Sequence, residues 1–231
     1  MTSPDLDEIL AGLRVVSIPM RVRFRGVDHR EVALLRGPVG WGEFSPFLEY
    51  SDEESAPWLA AAVEAAWVGW PGALRDRIPV NATVPAVAPE QVAGVLGRYD
   101  GCTTAKVKVA EPGQSLAQDL DRVAAVRDVL GPGGRIRVDA NGGWSVEEAS
   151  DALAALTAYG LEYAEQPCAS VPELAALRVS LARRHLDLLV AADESIRKAD
   201  DPLRVVREHA ADIVVVKVAP LGGVRRALAI A

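Results

Sequence analysis

From Ile78 onward the chain alternates short apolar runs with helical ones, and no other feature restricts its fold so tightly. IPVNATV precedes PEQVAGVLGRY, and AKVKVA precedes SLAQDLDRVAAVRDVLG. RIRVDAN leads into SVEEASDALAALTAYG, whose Ser145 and Glu148 have capping-box spacing. LEYAEQP, LDLLVAADES and DIVVVKVAP are likewise followed by VPELAALRVSLARRH, DPLRVVREHA and GGVRRALAIA. Units that recur at roughly 25–30 residues are the grammar of βα repeats around a parallel sheet. Strands covered on both faces read as continuous apolar runs, as these do. Periodicity alone leaves a doubly wound sheet and a barrel both open. An eight-unit barrel takes about 250 residues, so six units stand two short of closing one.

Residues 1–77 read differently. LRVVSIPMRVRF, HREVALLRG and VGWGEF are short strands with a Gly37-Pro38 turn between the last two, which predicts an antiparallel sheet. A helix rich in alanine and tryptophan is expected over about Asp52 to Trp70, ended by Pro71-Gly72. The expected organisation is an α+β domain over 1–77 and a (β/α) domain over 78–231.

Composition narrows the function. A net charge of -7 argues against a nucleic-acid partner, which would want a basic patch. MTSPDLDEIL lacks the basic start and apolar centre of a signal peptide. No apolar run reaches the roughly 18 residues of a membrane span. Cys102 and Cys168 have no metal-type spacing and are too few for a disulfide framework. A cytoplasmic protein acting on a small molecule is the expectation.

The charges that remain sit at strand ends. Lys106 and Lys108 lie two apart, hence on one face of an apolar strand. The following strands end in Asp139, Glu165 and Asp193, and the sixth carries Lys217. In parallel α/β folds the C-terminal strand ends form one face, where active sites are built. Three converging carboxylates offer an oxygen-only donor set suited to magnesium, with manganese as a substitute. No histidine or cysteine stands at these ends, which argues against zinc. A lysine beside a second lysine and a cation is biased toward its neutral form, which would make it a usable base. The chemistry this suggests is proton removal next to a carboxylate.

KVK, VDANGGW, EQP, ADES and VVVKVAPLGG, in that order and spacing, resemble the enolase superfamily and its muconate-lactonizing subgroup. The resemblance covers nearly the whole chain, with residues 13–70 similar to that family's capping domain, and it implies an enolase-like (β/α) barrel. It implies magnesium held by Asp139, Glu165 and Asp193, with Lys108 as the base and Lys217 facing it across the substrate. Lys106, Asn141 and Glu194 would support these groups without touching the reacting atoms. The capping segment RVRFRGVDHREVALLR…GWGEFSPFLEYSDEE is most similar to actinobacterial members. Those members dehydrate 2-succinyl-6-hydroxy-2,4-cyclohexadiene-1-carboxylate in menaquinone synthesis. N-acylamino acid racemisation, dipeptide epimerisation and muconate cycloisomerisation are the alternatives on the same scaffold.

Candidates to bind the carboxylate substrate are Arg23, Arg25, His29, Phe47, Tyr50, Gly222 and Gly223, with Arg30, Phe44 and Ser45 beside them. Trp41, Trp58, Trp67 and Trp70 read as packing residues, and His185 and His209 as surface positions on helices. A monomer or small homo-oligomer is expected, with no membrane partner. The chain stops at Ala231, inside the sixth helix. A polypeptide that truly ended there is expected to be an inactive or weakly active fragment, with the edges of strands one and six exposed.

Overall fold

The computed structural model describes residues 4–24, 27–198 and 201–231, the side chains of 22–24 excepted. The chain divides into two units: Met1–Leu74 together with Val216–Ala231, and Arg75–Val215.

In the first unit, α1 (Leu6–Ala11) begins at a capping box in which Asp5 accepts Glu8 N–H and Glu8 accepts Asp5 N–H. Three antiparallel strands follow in spatial order β1-β2-β3: β1 (Leu13–Phe24), β2 (Val27–Arg36) and β3 (Trp41–Phe44). The helix α2 (Asp52–Val63) is capped by Ser51 and widens into a π-helical turn over Glu64–Val68. It stops at Gly69, where φ is 75°, short of the Pro71-Gly72 stop. Leu35, Ala62, Ala66 and Trp67 form the core, joined by Ile9, Leu13, Phe44 and Val63. β3 lies so close to α2 that a Cβ on Gly42 would come within 1.9 Å of Ala62 O. Of the tryptophans, Trp67 is packed, but Trp41 and Trp70 are largely exposed.

In the second unit, β4 (Ala82–Val84), β5 (Thr104–Lys108), β6 (Arg135–Asp139), β7 (Leu161–Glu165), β8 (Leu189–Ala192) and β9 (Ile213–Val214) pair in chain order, all parallel. The helices between them are α3 (Pro89–Leu96), α4 (Leu116–Leu130), α5 (Val146–Leu156), α6 (Val171–Arg183), α7 (Glu194–Arg197) and α8 (Arg204–Arg207). Boxes at Ser115, Ser145 and Ser170 start the three long ones. Val107, Val138, Ala164 and Val190 are buried on the strands, as are Val123, Val126, Leu153, Leu174 and Leu177 on the helices. Removing this much apolar surface from water, at about 25 cal/mol per Å², supplies the main drive for sheet and helices to close on each other. Among the described residues no helix is long and apolar enough to cross a membrane.

The sixth repeat departs from its sequence pattern. DIVVVKVAP was expected to be a strand carrying Lys217, yet β9 ends at Val214. Its partner β8 ends at Ala192, where the chain turns into α7, so the ladder has nothing to extend along after Val215 N–H reaches Ala192 O. Lys217 instead sits at the N-cap of a short helix, α9 (Val218–Leu221), in the first unit. Gly222 and Gly223, at φ 89° and 122°, turn the chain into α10 (Val224–Ile230). The Glu64 carboxylate accepts the N–H groups of Val224 and Arg225 there, at 2.5 and 3.3 Å. His185 and His209 are exposed, as expected of surface positions, but both follow the ends of helices, in left-handed backbone.

Candidate active site

The site is built by register. Lys108 on β5 pairs with Asp139 on β6, and Asp139 pairs with Glu165 on β7. Partners on a parallel ladder point to the same side of the sheet, so one ammonium and two carboxylates share a layer at the C-terminal strand ends. Lys106, two residues back on the same face, reaches up into that layer. Its Nζ lies 3.0 Å from Asp139 Oδ2 and 2.9 Å from Glu165 Oε1. Lys108 Nζ lies 2.6 Å from Asp139 Oδ2 and donates to Asn141 Oδ1 at 2.5 Å.

Asp139 and Glu165 are only 1% and 2% exposed. Burial by itself would raise the Asp139 carboxyl, but the Lys106 and Lys108 ammonium groups outweigh it and hold it below the usual range. Glu165 goes the other way. Burial raises it, and the negative charge of Asp139, with a further contribution from Asp193, pushes in the same direction. For Lys106, burial lowers the pKa, yet the charges of Asp139 and Glu165 prevail and raise it. The like-charge lowering expected of a paired lysine therefore does not describe Lys106, because two carboxylate oxygens lie within 3.0 Å of its Nζ.

Two turns complete the layer. Asn141, at φ 48°, donates its N–H to Asp139 Oδ1 and its Nδ2 to Glu194 Oε1 at 3.2 Å. Glu194 Oε1 also accepts from Arg197 at 2.7 Å, and Arg197 Nε lies 3.3 Å from Asp193. The network thus runs from Lys108 through Asn141 to Glu194.

Gln166 was missed. It is wholly buried at φ 39°, and its side chain makes four hydrogen bonds. Oε1 accepts from Asp193 N and Ser195 N, while Nε2 donates to Cys168 O and Ser195 Oγ. Its backbone N–H reaches Ala191 O and its carbonyl accepts from Gly142 N, so it ties the end of β7 to the turns after β6 and β8. No pattern marks a glutamine between a strand-end acid and a proline for this task. Asp119 and Arg122 on α4 were missed too, because an acid–base pair at i,i+3 reads as a solvated helix face, whereas both are buried.

Candidates in the first unit fare differently. Arg25 and the side chain of Arg23 lie outside the described residues. His29 is exposed and paired with Asp28 at 2.9 Å. Arg30 donates to the carbonyls of Ser45 and Pro46 and lies 4.1 Å over the Phe47 ring, which gives it a structural task. Phe47 meets Tyr50 edge-on at 5.7 Å, and Tyr50 lies 6.2 Å from Trp58. Gly222 and Gly223, candidates for substrate contact, lie in tightly packed backbone. A Cβ on Gly223 would come within 2.2 Å of Glu64 Oε2.

Asp139 and Glu165 end β6 and β7, Asp193 directly follows β8, and all three offer only buried carboxylate oxygens, a donor set that fits a hard divalent cation. The Glu194 Oε2 atom is also buried, with no hydrogen bond among the described residues. As the side chains stand, no three of the described His, Cys, Asp and Glu residues are drawn together closely enough to hold an ion. Lys106 and Lys108 neutralise Asp139 and Glu165 in that arrangement.

Comparison with known proteins bears on the family and the fold. Residues 15–66 match the enolase N-terminal domain-like family and residues 90–231 the enolase C-terminal domain-like family. The chain is 64% identical over 229 residues to o-succinylbenzoate synthase of Mycolicibacterium smegmatis, covering 99% of this chain and 69% of that protein. Among solved structures, the L-Ala-D/L-Glu epimerase from Bacillus subtilis superposes with a TM-score of 0.78 at 24% identity, over 94% of this chain and 76% of that one. A dipeptide epimerase from Cytophaga hutchinsonii, complexed with Mg and D-Ala-L-Val, gives 0.74 at 24%, over 94% and 74%. At these identities the two structures speak to the fold.

Proposed function

The chain belongs to the enolase-like family and, within it, to the o-succinylbenzoate synthases, and we propose that its second unit carries the acid–base and metal-binding groups of that dehydration. The enzymes of this group are carbon–oxygen lyases. The observation that carries the reading is the shared layer of Lys106, Lys108, Asp139 and Glu165, two lysine Nζ atoms interleaved with two buried carboxylates at adjacent strand ends.

Lys108 is the base. As the free amine it takes the proton from the ring carbon that bears the carboxylate of 2-succinyl-6-hydroxy-2,4-cyclohexadiene-1-carboxylate. The resulting ammonium returns a proton to the departing hydroxyl, which leaves as water. The electron pair of the broken C–H bond becomes the last double bond of the aromatic ring. Asp139 and Asn141 are the acceptors that aim the Lys108 Nζ. Lys106 lies between Asp139 and Glu165 and pairs with both, which favours the charged form of Asp139 and offsets part of the repulsion between the two carboxylates. Asp139, Glu165 and Asp193 would hold a magnesium ion, whose charge stabilises the enediolate that develops on the substrate carboxylate. Lys217 enters this reading on the family resemblance alone, as a cation that steadies the same anion.

The test is ultraviolet-monitored dehydration of the cyclohexadiene carboxylate, with magnesium and then with chelator. Magnesium-dependent aromatisation is expected. Absence of aromatisation, with exchange of the α-proton of an N-succinylamino acid, would move the assignment to racemisation.

A further inference from the structure

The buried pair Asp119–Arg122 has no place in the chemistry so far, although it is among the most completely enclosed charges in the second unit. Their side chains are 3% and 1% exposed and meet at 2.7 Å. A buried ion pair is a poor device for stability, since apolar residues of similar volume often do as well or better. What this pair touches gives it another use. Arg122 donates to Lys108 O at 2.9 Å, to Val87 O at 2.7 Å and to Gln114 Oε1. Asp119 Oδ2 accepts the N–H of Ala110 at 2.9 Å. Ala110 stands at φ 58°, a left-handed backbone that alanine seldom adopts. The backbone on both sides of Val109 is therefore gripped from α4, immediately after the lysine whose Nζ meets Asp139. Gln114 in turn donates to Ala86 O, so the same network anchors the loop after β4.

We infer that Asp119 and Arg122 are positioning residues for Lys108: they lock the end of β5 so that its Nζ enters the carboxylate layer at one height and angle. The inference rests on the reading of Lys108 as the base. Rates of proton transfer fall steeply with small displacements, by about 100-fold for a shift near 1 Å, so a clamp on the backbone of the base acts on turnover without touching substrate.

The test pairs the double variant Asp119→Leu/Arg122→Met with Arg122→Lys. The double variant leaves no unpaired buried charge but strands the Ala110 N–H, so it is expected to fold with a melting temperature lower by several degrees. Arg122→Lys keeps the charge but loses the multiple donors of the guanidinium, and covers the case in which the double variant does not fold. Four quantities are read: kcat, KM, magnesium affinity by calorimetry, and hydrogen exchange of the Ala110 amide. Expected in the double variant are a cooperative melt, KM and magnesium affinity within about threefold, faster Ala110 exchange, and kcat lower by about 10- to 100-fold. Arg122→Lys should lie between it and the parent. Faster Ala110 exchange with kcat unchanged would overturn the proposal, and so would a loss of kcat accompanied by an equal loss of magnesium affinity and a raised KM, which mark a merely structural pair. Lys108→Ala, run alongside, separates the two readings: if that variant still turns over, the assignment of the base falls, whatever the clamp variants do.

Discussion

Lys108 Nζ lies 2.6 Å from Asp139 Oδ2, and the two residues are direct ladder partners on β5 and β6. Register, not a flexible loop, brings amine and carboxylate together, so removing the amine should leave the scaffold in place. Lys108→Ala is expected to keep a cooperative melt while turnover falls by about 10² to 10⁴ or more, the range of a lost general base. Deuterium uptake at the acidic carbon, followed by mass spectrometry, should fall with it.

Asp139 accepts both lysines, at 3.0 and 2.6 Å. Asp139→Asn keeps the shape and removes the charge. Magnesium affinity should drop at least about tenfold, as loss of ligand-shell groups commonly produces. Calorimetric titration checks this, and unaltered turnover at limiting magnesium would refute the role of Asp139.

Gln166 Oε1 is the acceptor for Asp193 N and Ser195 N. Gln166→Leu fits the volume but strands both N–H groups in a buried turn. Each orphaned donor costs roughly 1–3 kcal/mol, so the melting temperature should fall by several degrees. Asp193 loses its backbone anchor at the same time, and magnesium affinity should weaken further than in a surface variant of equal stability.

Cys168 is buried, while Cys102 is partly accessible. Burial, aided by the charge of Glu173, pushes the Cys168 thiol from an ordinary 9.0 up to about 12. The folded pKa exceeds the unfolded one, so the unfolded chain releases this proton first as pH rises. The contribution to stability is complete below about pH 9 and is lost progressively toward pH 12. Denaturant midpoints measured across that window should decline, and the decline should shrink in Cys168→Ala. Iodoacetamide at pH 8 should label Cys102 in the native protein and Cys168 only after unfolding.

Among these features, sequence alone determined the repeat of strand and helix, the capping box at Ser145, and the charges at strand ends. Each is a local pattern whose period or spacing states its geometry: two for a strand, three for a cap, a charge where an apolar strand ends. From these the lysine pair and the three carboxylates of the second unit were already legible. Tertiary structure decided the rest. The length of β9, and hence the place of Lys217, followed from where β8 stops, a constraint that acts across strands rather than along them. Gln166, Asp119 and Arg122 look like ordinary polar residues in the chain. They acquire their tasks only when the closing of helix on sheet removes water, because a buried hydrogen-bonding group must then find its partners in the protein.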